Sequence, residues 1–508
     1  MKNPNVYISC RSQPPLFTWR RSGKEHAEIV IEHLVPGDPK ADAHGLRLQD
    51  EIHDVCKKTL FVFLLCVCGA GASSGQEPRA DDPVVNVTID FGDPLGRISP
   101  FLFGTNDQEA LLPDTHVHRD EEFHGIMREL GFPMVRLHLG SMHGEFPTPD
   151  AKGSFLQSIP YYMDRTLLRA DRSNQKIMVC FAAPPRWVDM HNPEQRERYA
   201  DMCAKYAGFL VKDREYNITH WELFNEIYFA GMSDLEKDPG RSLWKFYNRL
   251  APMLREIAPG TRIGGPAVAW ADYGVIQDFL EHCGAEVDFV SWHRYPAGSA
   301  EEFTDAIMKR THKFGEAVRE VRRVVGEQLP GKDVELCITE YNMNGDWQPT
   351  DPRQATAVGA CWAASILKHL ADAGLDMAMQ WHSKGGGSFG LVSAKNEIRH
   401  YGALLMLLNR HLAGAELCRS TSSSRMVEML AASTDDEYMA LAINKSAEEK
   451  RVRLTLSHAR VPAAGLLKRD VICYEISEQQ HPMTKSTDRL AEESQEMGRF
   501  LLLGYSVR

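Results

Sequence analysis

Apolar and polar positions alternate strictly early in the chain. Val85, Val87, Ile89 and Phe91 interleave with Asn86, Thr88 and Asp90, a period of two that predicts a β-strand. From residue 100 the pattern changes. Short apolar runs at 101–106, 134–139, 176–182, 218–225, 262–268, 288–293, 334–339 and 377–381 read as strands. Between most of them lie stretches with helical periodicity, among them 121–130, 193–211, 241–257, 300–325 and 353–373. Strands alternating with helices imply a parallel sheet covered on its outside, and eight such units imply a (β/α)8 TIM barrel. A doubly wound open sheet competes, but no Gly-rich dinucleotide turn supports it. Beyond residue 400 a last helix at 399–412 gives way to short strands at 426–432, 438–444, 451–456, 470–476 and 500–506, broken by turn residues, which predicts an antiparallel β-sandwich. The expected organisation is a strand at 84–98 that joins the C-terminal sandwich, a catalytic barrel at 99–412, and the sandwich at 413–508.

Composition changes this picture only at the N-terminus. A chain of 508 residues, 43% hydrophobic and 25% charged, can bury full cores. Its net charge of −11 argues against nucleic acid as a partner, since phosphate binding needs clustered Lys and Arg. Lys57-Lys58 precedes a short apolar run, and Ala70-Gly71-Ala72 suits cleavage, so 59–72 reads as a signal peptide. The run is too short for a comfortable membrane span. The mature protein is expected to be secreted or periplasmic, with no stable membrane span. Residues 1–58 are an N-terminal extension, or an untranslated stretch ahead of a later start. The cysteines beyond the leader (Cys180, Cys203, Cys283, Cys337, Cys361, Cys418 and Cys473) are scattered without zinc spacing, and buried free thiols are expected. No phosphate loop or metal-ligand spacing occurs, so neither cofactor nor metal is expected.

In such a barrel, chemistry sits at the C-terminal ends of the strands. Strand two carries Arg136 and His138, and strand three leads to Trp187. Strand four ends on Asn225-Glu226, strand six on Trp292-His293-Arg294-Tyr295, strand seven on Glu340-Tyr341-Asn342, and strand eight on Trp381-His382. Two carboxylates, an amide, an arginine, histidines and aromatics converge on one rim. Aromatic faces suit sugar rings and the polar groups suit hydroxyls. A lone strand-end Glu is more often solvated or ion-paired, but two on one rim raise the case for Glu226 and Glu340. Glu222 and Glu335 are less attractive, because they point into or behind the barrel.

These strand ends resemble clan A retaining glycoside hydrolases, most closely family 39, the β-xylosidase and α-L-iduronidase group. In that clan an Asn-Glu pair at the end of strand four supplies the acid/base and a Glu at the end of strand seven is the nucleophile. Asn225-Glu226 and Glu340 match both, and Ile338–Asn342 and Ser388–Val392 resemble family 39 segments. Ile227 departs from the pattern, which often has Pro after the acid/base; families 51 and 30 share the clan pattern. The resemblance implies double displacement on an oligosaccharide, polysaccharide or glycoside, xylosidase-like in substrate. Glu340 attacks the anomeric carbon, and Glu226 protonates the leaving oxygen and then activates water. It further implies that Asn225 binds the sugar 2-hydroxyl, that Arg136 and Tyr295 hold Glu340, that His293 meets a hydroxyl or the acid/base, and that Trp187 and Trp381 are platforms under the sugar. A carbohydrate-binding barrel without hydrolysis, and a transglycosidase using the same site, are the alternatives. Oligomeric state is not readable.

Overall fold

The computed structural model describes residues 83–107, 121–139, 161–227, 238, 241–447, 450 and 452–457, except 186, 347–348, 386, 436 and, for side chains, 139 and 161–165; it also describes six further strands by backbone alone. Eight parallel strands close into a barrel: Gly104–Asn106, Met134–Leu139, Lys176–Phe181, Ile218–Leu223, Arg262–Val268, Phe289–Arg294, Glu335–Tyr341 and Met377–Gln380. They are called barrel strands one to eight below. Each neighbouring pair runs parallel, and strand eight pairs with strand one to close the ring.

Alternation along the strands sorts side chains between two cores. Met134, Met178, Phe289, Cys337, Met377 and Met379 fill the inside of the barrel. Val135, Leu137, Ile177, Val179, Trp221 and Leu223 face outward, where the helices cover them. The helices include Glu121–Leu130, Tyr161–Arg172, Pro193–Gly208, Ser242–Ile257, Tyr273–Cys283, Lys313–Gln328, Ala357–Asp372 and His400–His411. The single helix expected over 300–325 is two. Thr304–Lys309 stops where the Arg310 N–H turns back to the Ile307 carbonyl, and Lys313–Gln328 starts afresh.

Beside the barrel lies a strand-rich sheet. Val85–Arg97 runs antiparallel to Glu416–Ser422, which is followed by Val427–Ser433 and Glu437–Asn444. Val452–Ser457 pairs with Val85–Arg97 in parallel, so the sheet is mixed rather than wholly antiparallel. A parallel pair needs a long crossover, and here the entire barrel intervenes between the partners. The strand Glu416–Ser422, with sequence ELCRSTS, is too polar to be found by hydrophobic pattern. Leu60–Cys66 is a strand beside Glu437–Asn444, while the rest of 59–72 and most of 1–58 lie outside the described residues. Among the described residues no helix is long and apolar enough to cross a membrane, and Cys180, Cys203, Cys283, Cys337, Cys361 and Cys418 are buried free thiols.

A buried polar lock joins sheet and barrel. Glu428 accepts from Lys445 Nζ at 2.6 Å, lies 2.9 Å from His369 Nε2, and accepts from Ser365 Oγ at 2.5 Å. Lys445 also donates to Thr311 at 3.0 Å. Burial alone would raise the Glu428 carboxyl, but His369 and Lys445 outweigh it and push it down to about 2. A depressed carboxylate contributes stability that is complete above its ordinary value of 4.5 and lost as pH falls toward about 2. Glu428→Gln is therefore expected to cost about 3–5 kcal/mol near neutrality, since it removes the negative charge beside a buried lysine. It should also flatten the acid side of the stability curve. Denaturant melts taken from neutral to acidic pH check both, and an unchanged acid slope would count against the lock.

Candidate active site

The site is built where regular strands end. Barrel strand four carries an irregularity: Ile177 pairs with Ile218 but Met178 pairs with His220, so Thr219 is an extra residue. The bulge changes the phase of the strand. Strict alternation would put Ile218 on one face with His220 and Glu222; it instead packs outside with Trp221, while Glu222 reaches Arg136 inside the barrel. The strand then leaves the β region. Phe224 has φ of 81° and Glu226 φ of 46°. Such left-handed conformations cost about 1–3 kcal/mol each in side-chain-bearing residues. They are held by Phe224 N–H to the Phe181 carbonyl at 3.1 Å and Glu226 N–H to the Ala267 carbonyl at 2.8 Å. Strand seven is irregular too: Trp292 pairs with Ile338 and His293 with Glu340, leaving Thr339 extra. That insertion turns Glu340 toward the barrel mouth, while Tyr341 packs outside.

Arg136 is the hub. It is completely buried. Its Nε donates to Glu222 Oε2 at 2.6 Å, Nη1 to Glu340 Oε1 at 2.8 Å and to Asn106 Oδ1 at 3.0 Å, and Nη2 to Asn225 Oδ1 at 2.6 Å. Nη1 also lies against His138 Nε2, and Nη2 is 3.5 Å from Cys180 Sγ. One guanidinium thus ties together the ends of strands one, two, three, four and seven. Asn225 spends its oxygen on Arg136, which points its amide N–H groups elsewhere.

Glu340 is almost buried, and every contact keeps it ionised. Tyr295 Oη donates to Oε2 at 2.9 Å; His138 Nε2 lies 3.2 Å from Oε1 and His293 Nδ1 3.5 Å from Oε2. Burial would raise this carboxyl, but the charge of His293, the hydrogen bond from His138 and the charge of Arg136 outweigh it and hold it far below the usual carboxylate range. Burial also raises the Tyr295 phenol, with Glu340 and Glu226 reinforcing the shift, so Tyr295 stays a donor. Glu222, fully buried, is likewise held low: its burial is outweighed by Arg136 and His293.

Glu226 differs. Its side chain is 26% exposed against 6% for Glu340. His293 Nδ1 lies 2.9 Å from its Oε1 and so contacts both carboxylates. One oxygen of Glu226, one of Glu340 and a His293 nitrogen all fall within 4.8 Å of one another. Such a trio is able to hold a cation, but Arg136 already sits on Glu340 and opposes a second positive charge. A second trio, Asp278, Glu281 and His282, has its Asp278 oxygens engaged by Arg241 and Trp244.

Of the residues singled out by sequence, Glu226, Glu340, Asn225, Arg136, His293 and Tyr295 form one connected network. Trp381, only 5% exposed, joins through His138, with ring centroids 5.5 Å apart. So small an exposed area makes it more wall than open platform. Trp187 is 42% exposed on the loop after strand three, with the Arg198 guanidinium 5.1 Å from its ring. Ile227, at the departure from the clan pattern, is buried in the outer core. Asn106, Cys180 and the anchoring role of Glu222 were missed. The available signal was polarity inside apolar strands, which marks side chains facing the barrel interior.

Residues 187–450, about half of the chain, match the profile of Glycosyl hydrolases family 39. A Beta-xylosidase from Geobacillus stearothermophilus is 28% identical over 193 residues, 35% of this chain and 37% of the relative. A Beta-xylosidase from Caldicellulosiruptor saccharolyticus is 21% identical over 329 residues, 59% of this chain and 63% of the relative. The chain thus spans less than two thirds of either curated relative. Among solved structures, a glucosidase from Croceicoccus marinus shares the fold with a TM-score of 0.53 at 17% identity, covering 70% of this chain and 75% of that one.

Proposed function

The chain belongs to glycosyl hydrolase family 39, and from that premise we propose that it is a retaining glycosidase acting on β-xylosides by double displacement. The supporting observation is the separation of its two rim carboxylates. One oxygen of Glu226 and one of Glu340 lie within 4.8 Å of each other, so the two carboxyls approach at their nearest atoms. Retaining enzymes hold their carboxyl groups about 5–5.5 Å apart, whereas inverting enzymes leave about 6.5–9.5 Å for a water.

Glu340, kept ionised by Arg136, His138 and His293, attacks the anomeric carbon. The bond to the leaving oxygen breaks as Glu226 delivers its proton there, and an ester to Glu340 forms. Water then enters, Glu226 takes its proton, and the hydroxyl displaces Glu340 with net retention. His293, bonded to Glu226, fixes the acid's orientation. Asn225, its oxygen held by Arg136, offers N–H groups to the sugar 2-hydroxyl. The choice of xyloside is supported by the two Beta-xylosidase relatives; the fold is shared with a glucosidase and does not choose the sugar.

Glu226→Ala carries the test, with a panel of nitrophenyl glycosides (β-xyloside, β-glucoside, β-galactoside, α-L-arabinofuranoside and α-L-iduronide) as substrates. Activity on the cleaved glycoside is expected to fall about 10²–10⁴-fold, the usual worth of a positioned acid/base. Added azide, which needs no general base, should restore part of it and yield the glycosyl azide with retained configuration. Azide-independent residual turnover, or an inverted azide product, would remove Glu226 from this role.

A further inference from the structure

Resting on the reading of Glu226 as acid/base, we infer that Ser291 is a positioning residue for that acid and acts through the backbone of Ala267. The first observation is a third irregularity among the barrel strands. Strand six pairs Ser291 with Pro266 and Trp292 with Val268, so Ala267 of strand five is skipped. Ala267 has φ of 49°, a left-handed conformation that residues with side chains rarely adopt. A buried backbone N–H left out of the ladder needs another acceptor. Ala267 and Ser291 are both fully buried, and the Ala267 N–H donates to Ser291 Oγ at 3.1 Å.

The second observation lies on the other side of Ala267. Its carbonyl accepts the Glu226 N–H at 2.8 Å. Regular strand four ends at Leu223, and Glu226 itself has φ of 46°. Two left-handed residues on neighbouring strands are thus joined in one relay, from Ser291 Oγ to the Ala267 peptide units to the Glu226 backbone. Strand six also supplies His293, whose Nδ1 lies 2.9 Å from Glu226 Oε1. Strand six therefore holds the acid twice, at the carboxyl through His293 and at the backbone through Ser291. Glu340 is held from other directions, by Arg136, Tyr295 and His138. Ser291 also lies by Glu222, but Arg136 and His293 are the larger influences that keep that carboxyl low. Removing the Ser291 oxygen strands the Ala267 N–H and loosens the turn that aims Glu226, while the nucleophile keeps its own partners.

The test uses two substrates of the sugar found by the glycoside panel; for a xylosidase these are xylobiose and 2,4-dinitrophenyl β-xyloside. A sugar leaving group must be protonated as it departs, whereas a dinitrophenolate departs without a proton. In Ser291→Ala the ratio of kcat/KM for xylobiose over the dinitrophenyl glycoside is expected to fall about 10- to 100-fold, part of the worth of a well-placed acid. The dinitrophenyl kcat/KM should hold, because it reports attack by Glu340. Its kcat should fall, because water then lacks a well-aimed base, and added azide should raise it again. Ser291→Thr, which keeps the oxygen, should restore most of the ratio. An unchanged ratio in Ser291→Ala overturns the inference, whether both rates hold or both fall together, and so does an equal loss in Ser291→Ala and Ser291→Thr. Glu226→Ala, measured alongside, separates the two levels of the argument. If it leaves the ratio in place, the acid/base reading falls and the inference with it. If it lowers the ratio and Ser291→Ala does not, the inference alone falls.

Discussion

Glu340→Gln is expected to reduce kcat by roughly 10⁴-fold or more, the scale of losing a covalent nucleophile. The two side chains are nearly isosteric, but an amide does not displace a glycosyl leaving group. Arg136 donates to the wild-type carboxylate at 2.8 Å and Tyr295 at 2.9 Å, and its negative charge is stabilised far below the usual carboxylate range, as the proposed attack requires. The fold should survive, because Arg136 keeps Glu222 as its other carboxylate partner. Kinetics on the cleaved nitrophenyl glycoside measures the loss. Mass spectrometry after treatment with a 2-fluoro glycoside should find the added sugar on wild type and not on the variant. Near-normal turnover in Glu340→Gln would exclude it as nucleophile.

Arg136→Met should have the widest consequences. It removes the cation shared by Glu222 and Glu340 and leaves two buried carboxylates facing each other. Breaking a buried ion pair in this way costs about 3–5 kcal/mol. Both carboxyls sit below their ordinary value of 4.5 in the native protein, so each contributes stability above that pH that is lost as pH falls. Without Arg136 both shift upward. Melting temperature near neutral pH should drop, and the acid limb of kcat/KM should move to higher pH. The limb is the decisive readout, since a merely structural arginine would leave it in place. Should Arg136→Met fail to fold, the double variant Arg136→Met with Glu222→Leu replaces the ion pair with apolar groups. It should regain stability while the acid limb stays displaced.

Much of the fold was open to reading from hydrophobic period alone. A barrel strand buried on both faces is a short apolar run, and a covering helix is a 3.6-residue stripe; both are local properties of sequence. The eight strands and the sheet beside the barrel follow from such patterns, as does the placement of Glu226 and Glu340 where apolar runs end. Elements whose stability comes from their partners were harder to see. Glu416–Ser422 is a polar strand held by pairing with Val85–Arg97 and Val427–Ser433, and nothing in its own pattern announces it.

The sequence by itself therefore determined the order of the barrel strands, the helical layer outside them, and the residue types gathered on one rim. Tertiary structure decided how those residues meet. The extra residues Thr219 and Thr339 shift strand phase, and the positive φ at Phe224 and Glu226 re-aims the end of strand four. Neighbouring strands impose both effects through their hydrogen bonds, and no periodicity encodes them. Arg136 likewise gains its function from Asn106, Glu222, Asn225 and Glu340, which come from separate strands. Charge stabilisation depends on distance and burial, and those quantities exist only once the barrel has closed.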